Sequence, residues 1–345
     1  MSKQQESSKN HKTKLQNEMT NQRIRYIGID IASKSFDSAF PREGKDFLTE
    51  SFTNDLSGWQ QLDKALEEQS DICVLEATGA YHLGLATYLY TRGKKVCVVN
   101  PLSVKHFSRM RMSRAKTDKA DSCLLSHYGA LIKPKAWQPK DEQIIDLQQL
   151  MTLSEQLVKQ RTALKNQLKS FLLVPQNNGL VVKILEGQIV GLTKNLEQLN
   201  ARIQQIIEVH YKELNKCLTS IPGIGPKTTA ALILVTEGFT KFETYKALIA
   251  YTGLAPRTFE SGTSVKGASH ICKLGAKQLR KLLYECAHSA KRFNPICKKL
   301  FDRLYHEKKK PFKVAMIAVA NKLIKIAFAL AASLTVFDPN YHSAK

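Results

Sequence analysis

The feature that most limits the architecture lies in the middle of the chain. Two stretches, "IIDLQQLMTLSEQLVKQRTALKNQLKSFL" and "LVVKILEGQIVGLTKNLEQLNARIQQIIEVHYKEL", are rich in Gln and Lys and carry apolar residues at three- and four-residue steps. That spacing is helical. Pro175, Asn177, Asn178 and Gly179 interrupt the run, so the two helices are expected to fold back as an antiparallel hairpin over 141–217. The hairpin divides the 345-residue chain into a domain over 24–140 and another over 218–335. Residues 1–23 read as a disordered basic arm with no apolar signal-peptide core, and 336–345 as a tail. The hairpin is either a packed intramolecular pair or a coiled-coil dimerisation arm. A pair this long has little beside it to bury its apolar stripe, which favours the arm.

Before the hairpin the pattern is that of a mixed α/β sheet. "RYIGIDIASKSFDSAF" reads as strand, turn and strand, and "DFLTESF" as a third strand. Helix and strand then alternate: "GWQQLDKALEEQ", "DICVLEA", "YHLGLATYLYTRG", "KKVCVVN". Pro101 opens another helix, and "DKADSCLLSHYGALI" a further one. This order suits a sheet with helices on its faces. After the hairpin the chain is mostly helical, apart from a loop-rich stretch between Gly253 and Gly275.

Charge narrows the function. Fifty-two Lys and Arg against thirty Asp and Glu give a formal net charge of +22, spread along the chain. Such a chain calls for a polyanionic partner, nucleic acid before an anionic membrane. The seven cysteines form no C-x-x-C pair. That argues against a zinc site or a disulfide framework and fits a reducing cytoplasm. "VAMIAVANKLIKIAFALAASL" carries Asn321, Lys322 and Lys325 near its middle and reads as a buried helix, with no membrane partner. The nine histidines form no H-x-x-x-H pair, and neither Trp59 nor Trp137 lies in an aromatic array, so no platform for single strands is evident.

Three groups of residues carry candidate chemistry. Asp30 closes the "YIGID" strand and Glu76 the "CVLEATG" strand, while Asp118 and Asp121 stand three apart at a helix start and share one face. Taken singly, each has a structural explanation as turn residue or helix-start acid. Converging, four carboxylates need cations, and hard Mg2+ or Mn2+ suits oxygen donors. Two such ions can clamp the attacking and leaving oxygens of a phosphodiester.

The second group is "LTSIPGIGPKTTAALILVTEG", which has the form of a helix-hairpin-helix. Gly223 and Gly225 allow the turn, backbone N–H groups at the second helix can hold a phosphate, and Lys227 adds charge. The third is "GLAPRTFESGTSVKGASHICKLGAKQLRKLLYECA", with Arg257, Lys266, Lys273, Lys277 and Arg280 among Ser261, Ser264, Ser269 and Cys272. A hydroxyl there can attack phosphorus if the charge is stabilised. Spacing alone does not choose among these residues, and composition alone favours a flexible phosphate-binding loop with incidental serines.

"YIGIDIASKSFD", "VLEATGAYH" and "RAKTDKADS", in that order, resemble the RuvC-like, RNase H-fold domain of the insertion sequence 110/1111 family of transposases. "LTSIPGIGPKTTAALILVTEG", "FETYKALIAYTGLAPRTFESGTSVKG" and "ICKLGAKQLRKLLYECA" resemble that family's C-terminal transposase domain. The resemblance covers Ile24 to Leu334. It implies that the family's Asp-Glu-Asp-Asp metal set falls on Asp30, Glu76, Asp118 and Asp121, and its nucleophilic serine on Ser261. Where the family's later block often has another serine this chain has Cys272, with Ser269 close by. The resemblance further implies a DNA recombinase guided by a structured bridge RNA that pairs with donor and target DNA. A serine would attack a backbone phosphate and link to it covalently, in dimers that pair into a tetramer. Two other functions fit the residues without the resemblance: a RuvC-like metal nuclease that needs no serine, and a non-catalytic nucleic-acid-binding protein.

Overall fold

The computed structural model describes residues 24–42, 44, 46–67, 70–112, 117–257, 260–261, 265–266 and 270–340. The expected basic arm at 1–23 lies outside the described residues. The chain divides into two compact units, Met1–Pro139 and Lys140–Lys345.

The first unit runs β1 (Arg25–Ile31), β2 (Ser35–Pro41), β3 (Phe47–Thr53), α1 (Leu56–Ala65), β4 (Asp71–Glu76), α2 (Tyr81–Thr91), β5 (Lys95–Val99), α3 (Pro101–Met110) and α4 (Asp118–Ile132). The five strands form one sheet in the order β3-β2-β1-β4-β5. The first three pair antiparallel, as short turns permit. β4 and β5 run parallel to β1, which requires the crossovers that carry α1 and α2. Both faces of the sheet are covered, so its central strands are nearly continuous apolar runs. Ile27, Ile29, Phe36 and Leu75 pack on Leu62 of α1 and Leu85 of α2. On the opposite face Val74, Cys97 and Val99 pack on Val104 of α3 and Leu125 of α4.

The second unit opens with the helical hairpin, α5 (Glu142–Leu172) and α6 (Gly179–His210), followed by α7 (Lys212–Thr219), α8 (Pro226–Thr236) and α9 (Tyr245–Thr252). Asn178 caps α6 by accepting from the N–H of Leu180 at 3.0 Å. At the hairpin's base Ile144, Leu147, Met151, Ile203 and Ile207 enter the core of the unit. Toward its tip Leu173, Leu180, Ile184 and Val190 are exposed.

The loop-rich stretch is a ribbon of four two-residue strands: β6 (Pro256–Arg257), β7 (Glu260–Ser261), β8 (Val265–Lys266) and β9 (His270–Ile271). β6 pairs with β9 and β7 with β8, both antiparallel. The chain ends through α10 (Lys277–Phe293), α11 (Pro295–Asp302), a π-helical turn (Arg303–Glu307) and α12 (Phe312–Ser333). By length and hydropathy α12 is able to cross a membrane. Here Ala315, Met316, Val319, Ala320, Leu323, Ile324 and Ala327 are all fully buried in the core of the second unit.

Candidate active site

The strand register assembles the acidic group. Asp30 lies one residue before the end of β1, directly opposite Asp37 on β2. On its other side Ile29 is in register with Leu75, so Glu76, the last residue of β4, comes next beside Asp30. Residues alternate between the two faces of a strand, so Gly28 and Asp30 share the face opposite Ile29.

That face is covered by α4, and Gly28 shows how closely. A Cβ at Gly28 would stand 2.0 Å from the carbonyl oxygen of Ser122 and 2.3 Å from the amide nitrogen of Ser126. The Ser126 hydroxyl donates to the carbonyl of Tyr26 at 2.5 Å. Ser126 therefore lies over Tyr26 and Ser122 over Gly28, and the same progression brings the first turn of α4, with Asp118 and Asp121, toward Asp30.

Electrostatics agree with this placement. The carboxyl of Asp30 is pushed up to about 6, first by burial and then by the negative charges of Asp121, Asp118, Glu76 and Asp37. The other three expected acids thus act on Asp30, and so does a further carboxylate, Asp37. Asp37 accepts a hydrogen bond from the hydroxyl of Ser51 on β3, and Glu76 accepts one from Thr78 at 3.2 Å. Helix capping does not account for the aspartates of α4, because the cap is Thr117, whose hydroxyl accepts from the N–H of Ala120 at 3.2 Å. The donor set is all carboxylate, and its mutual repulsion fits a hard divalent cation. Among the described residues no three His, Cys, Asp or Glu side chains are gathered tightly enough to enclose an ion as they stand.

Sequence reading passed over Asp37. The available signal was the short "IASKSF" turn between β1 and β2, whose length sets Ile31 against Phe36 and hence Asp30 against Asp37.

In the second unit Gly223 and Gly225 lie in the turn between α7 and α8. Gly223 has φ +107°, and a Cβ there would meet that of Ala290 at 2.8 Å. Pro226 opens α8, and Lys227 beside it is exposed. Ser261 is on β7, its backbone paired with Val265, and Lys266 is on β8. Ser264 and Ser269 lie outside the described residues.

The base of the ribbon is tied down. Cys272 donates its N–H to the carbonyl of Ala255, Lys273 to that of Gly253, and Ala276 to that of Tyr251, each at 3.0 Å. Gly275, at φ +99°, has no room for a Cβ, which would stand 1.9 Å from the carbonyl oxygen of Tyr251. Arg280 donates to the carbonyl of Thr252 at 2.7 Å and so holds the end of α9. Arg257, Lys273 and Lys277 are exposed.

Comparison with known proteins adds an independent line. A family model for the DEDD domain of IS110, described as "Transposase", matches residues 27–174. A second, described as "Transposase IS116/IS110/IS902 family", matches residues 215–302. The chain is 34% identical over 335 residues to the pilin gene-inverting protein of Moraxella lacunata, covering 92% of this chain and 98% of that protein. It is likewise 34% identical to the pilin gene-inverting protein of Moraxella bovis, again over 92% and 98% of the two chains. To the transposase for insertion sequence element IS1111A of Coxiella burnetii it is 25% identical, over 89% of each. Sheet, acidic group and helical second unit are thus those of a chain that belongs to the IS110 family of transposases.

Proposed function

We propose that this chain cuts, exchanges and rejoins DNA strands through a serine nucleophile, assisted by a cation-binding Asp-Glu-Asp-Asp group in an RNase H-like (RuvC-like) unit. The observation that carries this reading is the common strand face on which Asp30 stands between Asp37 and Glu76, under the first turn of α4. The strand order β3-β2-β1-β4-β5, antiparallel then parallel, supports the RNase H-like assignment. Asp30, Glu76, Asp118 and Asp121 would hold Mg2+ or Mn2+. Such ions, once bound, neutralise charge that builds on the phosphate oxygens.

Ser261 is the proposed nucleophile. Its oxygen attacks phosphorus and loses its proton, and the deoxyribose oxygen of the cut strand leaves as a hydroxyl. The phosphoserine bond stores the phosphodiester, and attack by the hydroxyl of another strand rejoins it. The tied base of the ribbon supports this role, because a nucleophile needs a fixed approach. The turn before α8 acts as a helix-hairpin-helix, with Gly223, Gly225 and Lys227 on the DNA backbone. Arg257, Lys266, Lys273 and Lys277 supply further phosphate contacts.

The partners in this reading are donor and target DNA, a structured bridge RNA and further copies of the chain. The exposed apolar tip of the hairpin supports a coiled-coil arm that forms dimers, which pair into tetramers. Seven free thiols suit the cytoplasm.

The test is a covalent-adduct assay with Mg2+, RNA from the element's flank and junction DNA, run on a denaturing gel. Ser261→Ala is expected to lose the protein–DNA adduct while Cys272→Ala keeps it. Cleavage with no adduct in any lane would instead assign a metal nuclease, and loss only in Cys272→Ala would move the nucleophile to the thiol.

A further inference from the structure

The second unit gathers aromatic rings from three of its helical segments. Phe301 of α11 stacks on Tyr305 of the π-helical turn, with centroids 5.3 Å apart and planes at 26°. Phe312, at the start of α12, meets Phe301 at 5.7 Å and Tyr305 at 5.8 Å, edge to face. His306 lies 4.9 Å from Tyr305. From α10, the ammonium of Lys291 stands 5.0 Å over the ring of Phe301 and 4.7 Å over that of Phe312.

A cluster that served only to pack the corner between helices would bury its rings. Here Phe301 is 7% exposed, whereas Tyr305 is 39% and Phe312 36% exposed. The buried ring acts as a pedestal for the two partly exposed ones, with Lys291 over one side of Phe312. The π-helical turn shapes the presentation. Such turns are rare and recur at functional positions. The N–H of Lys308 closes on the carbonyl of Arg303 at 3.0 Å and that of Lys310 on Leu304 at 2.9 Å, which curls the following lysines back onto the same turn. Between residues 291 and 313 nine Lys and Arg stand against two acids, and Lys308, Lys309 and Lys310 are all exposed.

We infer that this surface binds an unpaired stretch of DNA strand, with bases stacked on Tyr305 and Phe312 and phosphates along Lys308, Lys309 and Lys310. Partly exposed aromatic rings beside cations match the two chemistries of a single strand, the base plane and the phosphate. A duplex offers the second and hides the first. The local excess of positive charge selects a polyanion over an ordinary protein surface. The inference rests on the chain acting on DNA, and it needs neither the carboxylate group nor Ser261.

The test uses the full chain and a fluorescein-labelled 20-nucleotide oligodeoxythymidine, with binding read by anisotropy. Tyr305→Leu keeps apolar bulk without a ring face and is expected to weaken binding about tenfold, while Tyr305→Phe binds like the parent. Replacing Lys308, Lys309 and Lys310 together by Gln is expected to reduce the slope of log affinity against log salt by about 2. Binding is read in EDTA, where the cation-dependent cleavage cannot run, which separates failure here from failure of the cleavage reading. Iodouridine placed in the oligonucleotide should cross-link to Tyr305 or Phe312. Unchanged affinity in both the Tyr305→Leu and the triple Gln variants, or cross-links confined to other residues, would overturn the inference. Tighter binding of the equivalent RNA through the same residues would reassign the surface to RNA.

Discussion

Asp30 is the residue where competing forces are easiest to rank. Burial disfavours its charge most, and four neighbouring carboxylates add to the penalty. A carboxyl raised to about 6 in the folded chain favours folding while protonated. That contribution is present below the ordinary carboxylate range and is lost as pH rises through about 6. Without divalent cations, the parent is therefore expected to lose thermal stability relative to Asp30→Asn between pH 5 and pH 7.5. Added Mg2+ or Mn2+ should recover most of the loss at pH 7.5. Melting curves of the two proteins with and without chelator check this, and parallel pH profiles would mean that no repulsion is stored at Asp30. His82 and His127, both lowered by burial, push the pH dependence the opposite way in both proteins, so the difference between them isolates Asp30. Asp30, Glu76, Asp118 and Asp121 were legible as letters, because carboxylates at strand ends and a helix start are few. Asp37 was not, because its partnership depends on which residue faces which across a turn.

At the scale of elements, the close seating of α4 on β1 does the positioning. Gly28→Ala would drive a methyl into the backbone of α4 at Ser122 and Ser126. Overpacking of this kind costs roughly 1–3 kcal/mol, occasionally more, and here the obstacle is backbone that cannot rotate away. Calorimetry is expected to show the melting temperature falling by roughly 5–10 °C, with DNA cleavage reduced by more than the folded fraction explains. Cleavage unchanged in the folded fraction would mean that α4 can shift without moving its aspartates. The strands and helices of the first unit were readable because periods of two and of three to four are local signals. The crossing of α4 over the sheet was not, since it depends on missing side chains on both partners, at Gly28 of β1 and at Gly129 of α4, where a Cβ would stand 2.7 Å from Tyr26 and Val74. The ribbon read as a loose loop for a related reason. Its Gly, Ser and Lys composition says nothing of the hydrogen bonds at Ala255, Gly253 and Tyr251 that pin its base. The aromatic surface escaped attention because only Phe301 and Tyr305, four residues apart, are neighbours at helical spacing, while Phe312 joins them through the turn that follows.

For the whole molecule the governing quantity is the net charge of +22, which makes every nucleic-acid interaction sensitive to salt. Arg280 is committed to the carbonyl of Thr252, so the exposed cations around the ribbon are the ones to remove. Arg257, Lys273 and Lys277, changed together to Gln, are expected to flatten the salt dependence of duplex binding by about 2–3 in slope, with melting temperature unchanged. Filter binding across a salt series measures it, and an unaltered slope would take the ribbon off the phosphate backbone. All four expected acids, and the sheet and helix that align them, are contained in the first compact unit, Met1–Pro139. This turns chain order into a timetable. Synthesis proceeds at roughly 5–20 residues per second, so the carboxylate unit can emerge and fold several seconds or more before the ribbon bearing Ser261 exists. Synthesis cut short within the hairpin would yield a polypeptide carrying the acidic group and lacking Ser261, and so without the proposed nucleophile.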